Sequence, residues 1–97
     1  RLFVPELTLS RSRPNPSGAW VSWDLQLPSA GQVDLRVVGV DGRAIKTWSD
    51  RGLPGGVTRI LWDGRTGTGA RASSGRYYLV VTDKSGKTVS MPATILR

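Results

Sequence analysis

The fold is decided by residues 19–48, which read AWVSWDLQLPSAGQVDLRVVGVDGRAIKTW. From residue 19 to residue 27 apolar and polar side chains alternate, which is typical of a β-strand with one buried face. The turn-forming run 28–31 ends that strand, and residues 32–40 alternate again. Asp41 and Gly42 follow, and an Asp-Gly pair between two alternating stretches predicts a β-hairpin. The residues expected in the core are Ala19, Val21, Trp23, Leu25, Leu27, Val33, Leu35 and Val37.

The rest of the chain repeats this pattern of short alternating runs between turns. Glycine (12 residues) and proline (6 residues) recur along it and interrupt every stretch that could form a helix. We expect further strands within residues 57–62, 75–82 and 87–96, with loops at 49–56 and 63–74. The apolar residues expected to point inward from these strands are Ile60, Trp62, Tyr77, Leu79, Val81, Val89, Met91 and Ile95.

Six to seven short strands in a chain of 97 residues predict an all-β domain. Two packed antiparallel sheets bury such strands best, so we expect an Ig-like, fibronectin III-like β-sandwich, with a small barrel as the competing architecture. Residues 12–97 would form the sandwich. Residues 1–11 would be a linker or an edge strand, because Pro5 cannot donate to a sheet ladder.

The composition argues against catalysis and against a cofactor. The chain has no histidine and no cysteine, so the commonest general base and the commonest metal ligands are missing. Asp24 and Asp34 could form an acid pair if they lay on the outer side of neighbouring strands, but outward strand positions are usually polar without being catalytic. The glycine-rich run 63–69 lacks both the ending of a phosphate loop and the ligand ladder of a calcium loop. We expect no enzyme, no cofactor and no metal.

The basic charge is spread along the chain rather than concentrated. The formal net charge is +7, and the arginines recur from residue 1 to residue 97. A nucleic-acid-binding segment would cluster them, so we expect no nucleic-acid partner and a solvated, arginine-rich surface. Weak attraction to acidic glycans or to an anionic cell surface stays open. No apolar run approaches the roughly 18 residues of a membrane span.

The aromatic residues divide into core candidates and surface candidates. Trp23 and Trp62 fall on predicted inner faces, where large rings stabilise a small sandwich most. Trp20 falls on an outward position, where it would either stack on a sugar or a partner, or pack under residues 11–18. A stacking face on a carbohydrate-binding module could combine Trp20 with Trp48 and Tyr78.

Several motifs occur together along the chain in a fixed order. They are LPSAGQVDLRV (27–37), VDGRAI (40–45), GG (55–56), WDGR (62–65), Gly69 and SGRYY (74–78). With these motifs the sequence resembles the Ig-like domain named for the flagellar hook-capping protein FlgD, and it equally resembles the C-terminal sorting domains of the bacterial type IX secretion system. The Asn15-Pro16 pair and the ending at 95–97 are closer to the sorting domains.

The resemblance implies a non-catalytic, accessory domain at the C-terminus of a large bacterial protein that is secreted or held at the cell surface. The first residue is Arg rather than Met, which also predicts a piece of a longer chain. The partners would be the export machinery or the parent catalytic domain, and the isolated domain is expected to be monomeric. The alternatives are a carbohydrate-binding module that binds polysaccharide and a scaffold domain of an assembly such as a flagellar hook cap.

Recognition by the export machinery would use the last strand. Deleting residues 94–97 should then abolish export and leave the upstream part of the domain folded. An exposed final strand could also add to a partner's sheet. The residues expected to form the recognised segment are Lys87, Thr94, Ile95, Leu96 and Arg97.

Overall fold

The computed structural model describes residues 7–10 and 20–96, without the side chains of 49–51. These residues form seven β-strands, and no helix occurs in the described ranges. The strands are β1 (Thr8–Leu9), β2 (Val21–Leu27), β3 (Gly31–Gly39), β4 (Ala44–Leu53), β5 (Gly56–Trp62), β6 (Gly75–Asp83) and β7 (Thr88–Ile95).

The strands pair into two antiparallel sheets. One sheet has three strands in the order β1-β2-β5, and the other has four in the order β4-β3-β6-β7. This is the strand arrangement of an Ig-like sandwich of the fibronectin III type, which confirms the predicted fold class. The consecutive strands β2 and β3 lie in different sheets. The turn at 28–30 therefore crosses from one layer to the other.

The core lies between the two sheets and follows the alternation in the sequence. In β2, the alternate residues from Val21 to Leu27 are buried, and so are the alternate residues of β3 from Val33 to Val37. The side chains with at most 1% of their surface exposed include Val21, Trp23, Leu25, Val37, Trp62, Leu79, Val81 and Ile95. Both tryptophans predicted for the core are in it.

Residues 1–11 are described only in part, at positions 7–10. Leu7 and Leu9 are buried in the core, and Thr8–Leu9 pairs with β2 as an edge strand. β1 also lies against β7, which belongs to the opposite sheet. β1 thus closes one side of the sandwich.

Hairpin loops of one type join β3 to β4 and β6 to β7. In the first, the Gly42 N–H donates to the Gly39 carbonyl at 3.0 Å, and the Gly39 N–H donates to Arg43 at 3.0 Å. Gly42 and Gly86 occupy the same position in the two loops, with φ of 83° and 93°. Each loop is a turn followed by one residue in the left-handed backbone conformation, which glycine adopts at little cost. The Asp-Gly signal thus predicted the hairpin correctly, and the turn itself is centred one residue earlier, on Val40 and Asp41.

The strand β4 is longer than the sequence predicts. A loop was expected at 49–56, but β4 continues to Leu53 and pairs with the start of β3. The register shifts between Val33 and Leu35, which marks an irregularity of the β-bulge kind. An extra residue of this kind breaks the two-residue alternation, so the pattern no longer reveals the strand.

Asp83 fixes the β6–β7 loop through its carboxylate. Its Oδ1 accepts hydrogen bonds from the Ser85 hydroxyl at 2.7 Å, the Lys87 N–H at 2.9 Å and the Ser85 N–H at 3.0 Å. The bond from the Ser85 hydroxyl, with the backbone bonds, lowers the pKa of Asp83 below 3.8. These bonds stabilise the ionised form, so ionised Asp83 in turn stabilises the loop.

The stabilisation by Asp83 is expected to depend on pH. Because the pKa is lower in the folded state, the stabilisation is present above the unfolded pKa and is lost as the pH falls through the folded pKa. We expect Asp83→Asn to have a lower Tm than the wild type at pH 7. The two Tm values should converge as the pH falls through the lowered, folded-state pKa of Asp83, measured by thermal unfolding across a pH series. A difference in Tm that stays constant down to acid pH would contradict this assignment.

Candidate recognition surfaces

One end of the sandwich is formed by the loop 63–74, which is folded rather than open. The sequence predicts a glycine-rich loop whose only apolar anchors would be small alanines. Ala72 is such an anchor, because only 4% of its surface is exposed. Arg65 and Arg71 form a β-bridge across the loop. The Trp62 Nε1–H donates to the Arg65 carbonyl at 2.8 Å, and the Gly67 N–H donates to the Ile45 carbonyl at 2.9 Å. The loop is thus tied to both sheets.

Tyr77 locks the return of this loop into β6. Its hydroxyl donates to the Ser73 carbonyl, four residues upstream, at 2.7 Å. Its ring meets Trp62 edge-on, with ring centroids 5.3 Å apart. A tyrosine near the start of this strand that bonds back to the preceding loop is the tyrosine corner of Ig-like sandwiches.

Removing the Tyr77 hydroxyl is expected to weaken this end of the domain. Tyr77→Phe keeps the ring contact with Trp62 but leaves the Ser73 carbonyl without its donor. We expect a loss of about 1–3 kcal/mol in the free energy of unfolding, measured in urea. Tyr78→Phe is the matched control, since the adjacent tyrosine has no hydrogen bond from its hydroxyl among the described residues. Equal losses in the two variants would contradict the corner.

The acidic residues do not converge on a catalytic or metal site. Asp24 and Asp34 point from the outer faces of different sheets, because β2 and β3 lie in opposite layers of the sandwich. Asp24 instead accepts from the Arg59 side chain at 3.5 Å, and Asp63 lies 4.0 Å from the Lys46 ammonium. In the described ranges no three His, Cys, Asp or Glu side chains come together to hold a metal ion.

The three candidate stacking aromatics lie on three different surfaces. Trp20 precedes β2 and is 49% exposed, on the outer side of the three-stranded sheet. Trp48 pairs with buried Leu35 and therefore points inward at the edge of the four-stranded sheet, where Lys46 lies over its ring at 5.3 Å. Tyr78 lies between buried Tyr77 and Leu79, so it points outward from that sheet. The structure does not bring the three residues together on one face, because they alternate between faces and sheets.

Trp48 lines the open side of the sandwich. There, β4 and β5 are the edge strands of their sheets, and the cleft between them has a volume of about 230 Å³. Leu35, Leu53 and Ile60 form its apolar wall. Trp48 therefore contributes to packing between the sheets more than to a free aromatic surface.

The segment predicted for export recognition does not form a single patch. Lys87 is exposed in the β6–β7 loop, and Leu96, 56% exposed, follows the other end of β7. The eight residues of β7 separate Lys87 from Leu96, so an extended strand puts them roughly 30 Å apart. Ile95 is fully buried, opposite Gly75 of β6. Thr94 is half-buried, and Arg97 lies outside the described residues.

Ile95 bears on the expectation that deleting residues 94–97 leaves the upstream part folded. Its side chain is part of the core that all seven strands cover. Removing it would leave a cavity, with a cost similar to that of other large core truncations. A deletion of the segment therefore changes folding as well as recognition.

Sequence reasoning missed the outer face of the four-stranded sheet. Tyr78 and Val80 both point outward from β6, so residues 77–81 are apolar on both sides of the strand. Val38 pairs with Tyr78 on one side, and Pro92 pairs with it on the other. The signal was present in the sequence as five consecutive apolar residues, YYLVV, where a strand with one wet face should alternate.

The fold and these surfaces define an Ig-like sandwich, and its described residues hold no cluster of three potential metal ligands. Residues 13–89 match the FlgD Ig-like domain family, and the chain belongs to that family. The predicted resemblance to the FlgD Ig-like domain is thereby confirmed. No curated protein sequence matches the chain.

This fold also occurs in solved structures of other proteins. FlgD from Xanthomonas campestris, described in connection with hook capping in flagellar assembly, has a TM-score of 0.62 at 23% identity, over 94% of this chain and 68% of that one. PorZ, a surface component of the type IX secretion system of Porphyromonas gingivalis, has a TM-score of 0.58 at 20% identity. That match covers 94% of this chain and only 11% of PorZ. The link to type IX secretion thus rests on a shared fold.

The described part of the chain contains no helix that is long and apolar enough to cross a membrane.

Proposed function

We propose that this chain is a non-catalytic accessory domain of a larger exported bacterial protein, which it serves as a sorting or attachment module outside the cell or at its surface. The observation that carries the proposal is membership of the FlgD Ig-like family over residues 13–89. The two solved relatives support it, because in each the same fold is one part of a longer chain. A module of this kind acts through its surface and its strand edges.

The end of β7 is the part of the predicted segment that a partner can reach. Leu96 is a large apolar side chain that is 56% exposed. Lys87 is exposed at the other end of the strand. Pro92 lies between them, in an edge strand, and has no N–H to offer a partner strand. We therefore place recognition on side chains at the ends of β7 and not on strand addition along it.

The experiment is an export assay that keeps the domain folded. A reporter enzyme that is directed to the periplasm is fused in front of the chain, in a bacterium with a type IX system. We expect the fusion to reach the medium or the cell surface. The double variant Lys87→Glu with Leu96→Asp should lower the exported fraction roughly tenfold, in line with the loss of a binding hot spot.

Val57→Asp is the matched control for this assay. Val57 is 66% exposed on β5, far along the other sheet, so the same change from apolar to acidic falls outside the predicted segment. Thermal unfolding of each variant verifies that the domain stays folded. Equal export of the double variant and the wild type, or no export of the wild-type fusion, would overturn the sorting role.

A further inference from the structure

The outer face of the four-stranded sheet has an apolar centre. Tyr78 and Val80 of β6 point outward, and Val38 of β3 and Pro92 of β7 are the direct neighbours of Tyr78. Directly opposed side chains in antiparallel strands are in contact distance, so Val38, Tyr78 and Pro92 form one continuous area. Val80 extends this area along β6, because it lies two residues after Tyr78 on the same side of the strand. All four are only half-buried, since no layer of the described structure covers them.

The sequence of β6 indicates that this area is covered in the functional protein. Residues 77, 79 and 81 already supply the buried side of the strand. A strand whose other side faces water normally has polar residues there, and β7 follows this rule with Ser90 and Thr94. Apolar residues on both sides are typical of a strand that is covered on both sides. A contiguous apolar area that is only half-buried is typical of an interaction site on a small domain.

The charges around the apolar centre are basic. Arg36 is directly opposite Val80, and Arg76 lies two residues before Tyr78 on the same side of β6. Both are exposed, and neither guanidinium has an ion pair or hydrogen bond within residues 7–10 and 20–96. Asp34 is an acidic residue on the same face, on the outward side of β3. A tyrosine centre with arginines at its border is the composition of a protein-binding hot spot.

We propose that this face, defined by Val38, Tyr78, Val80, Pro92, Arg36 and Arg76, docks an acidic polypeptide surface. The apolar centre would bury aliphatic or aromatic side chains of the partner, and the two arginines would pair with its carboxylates. A second copy of this chain is a poor occupant, because it would bring arginines against arginines in a molecule of net charge +7. This face would give the proposed accessory domain a partner surface that is separate from the ends of β7.

The test uses a library of random dodecapeptides displayed on phage, with the whole chain as the bait. We expect the enriched peptides to carry Asp and Glu beside Leu, Val, Tyr or Phe. A synthetic copy of one such peptide should bind about tenfold more weakly to Tyr78→Ser, and also to the double variant Arg36→Glu with Arg76→Glu. Binding should weaken as salt increases, because charge pairing contributes to it.

A charge-swapped peptide, with Lys in place of each acidic residue, provides a second readout. It should bind the Arg36→Glu, Arg76→Glu variant and not the wild type, which a general loss of stability could not produce. Val57→Ser, on the other sheet, should leave both affinities unchanged. Enrichment of peptides without acidic residues, full binding by Tyr78→Ser, or a dimer of the chain that Tyr78→Ser dissociates would each overturn the proposal. The binding assays do not involve export. A negative binding result would therefore contradict the docking face and not the sorting role, and a negative export result would do the reverse.

Discussion

Trp62→Phe is expected to cost about 1–3 kcal/mol more of the free energy of unfolding than Trp23→Phe. Both tryptophans are buried, at 0% and 1% exposure, so the same loss of ring volume leaves a similar cavity at each position. Their indole N–H groups differ. Trp62 donates to the Arg65 carbonyl at 2.8 Å, whereas the Trp23 Nε1 has no hydrogen-bond partner among the described residues.

The difference between the two variants isolates the hydrogen bond. Phe at position 62 leaves the Arg65 carbonyl without a donor and loosens the loop 63–74, while Phe at position 23 removes an N–H that is already unsatisfied. The measurement is urea unfolding of both variants with the m-value compared to the wild type. Equal losses at the two positions, or a larger loss at Trp23, would show that the loop does not depend on this bond. The free energy of unfolding of a domain of 97 residues is about 5–15 kcal/mol, so a loss of about 3 kcal/mol is a large fraction of it and is readily measured.

The sequence predicted the strands more reliably than it predicted which strands share a sheet. Alternation placed Asp24 and Asp34 outward correctly, because a two-residue period fixes the side of a strand. Alternation carries no information on layers, and the turn at 28–30 puts β2 and β3 in different sheets. The possible pair of carboxylates was therefore an artefact of assuming that consecutive strands are neighbours. Trp20 lies on the other sheet from Trp48 and Tyr78, and Trp48 and Tyr78 point to opposite sides of one sheet, which alternation within single strands could not show.

The loop 63–74 was predicted as a loop, but its hydrogen bonds were not, because they are made by backbone groups and one indole N–H. The Arg65 and Ile45 carbonyls accept hydrogen bonds from Trp62 and Gly67, and Ala72 fills a small space in the core. None of these contacts has a periodic signature. Tyr77, in contrast, could be predicted as core from its position on β6, although its bond to Ser73 could not.

The candidate surfaces were predicted least well, because exposure alone does not identify a partner. Lys87 and Leu96 were assigned to one segment by their position in the sequence, but a strand separates them in space. The YYLVV run was interpreted only for its inner side, and its outer side gives the apolar centre of the proposed docking face. A run without alternation therefore needs an explanation for both of its sides.

Ile95→Ala is expected to cost about 2–5 kcal/mol of the free energy of unfolding, whereas Leu96→Ala should change it by at most about 0.5 kcal/mol. The two residues are adjacent and aliphatic, and both are replaced by Ala. Ile95 is fully buried opposite Gly75, which has no side chain to fill the space left behind, and Leu96 is 56% exposed. The measurement is urea unfolding of the two variants side by side.

This pair also decides how a deletion of residues 94–97 should be interpreted. If Ile95→Ala alone lowers export as much as the deletion does, while Leu96→Asp with Lys87→Glu leaves export unchanged, the export machinery requires a folded sandwich rather than a recognised terminal segment. If Ile95→Ala is exported normally despite its lower stability, and the surface variant is not, the exposed side chains at the ends of β7 are what the machinery binds. Equal stability of Ile95→Ala and Leu96→Ala would contradict the burial of Ile95 on which this distinction depends.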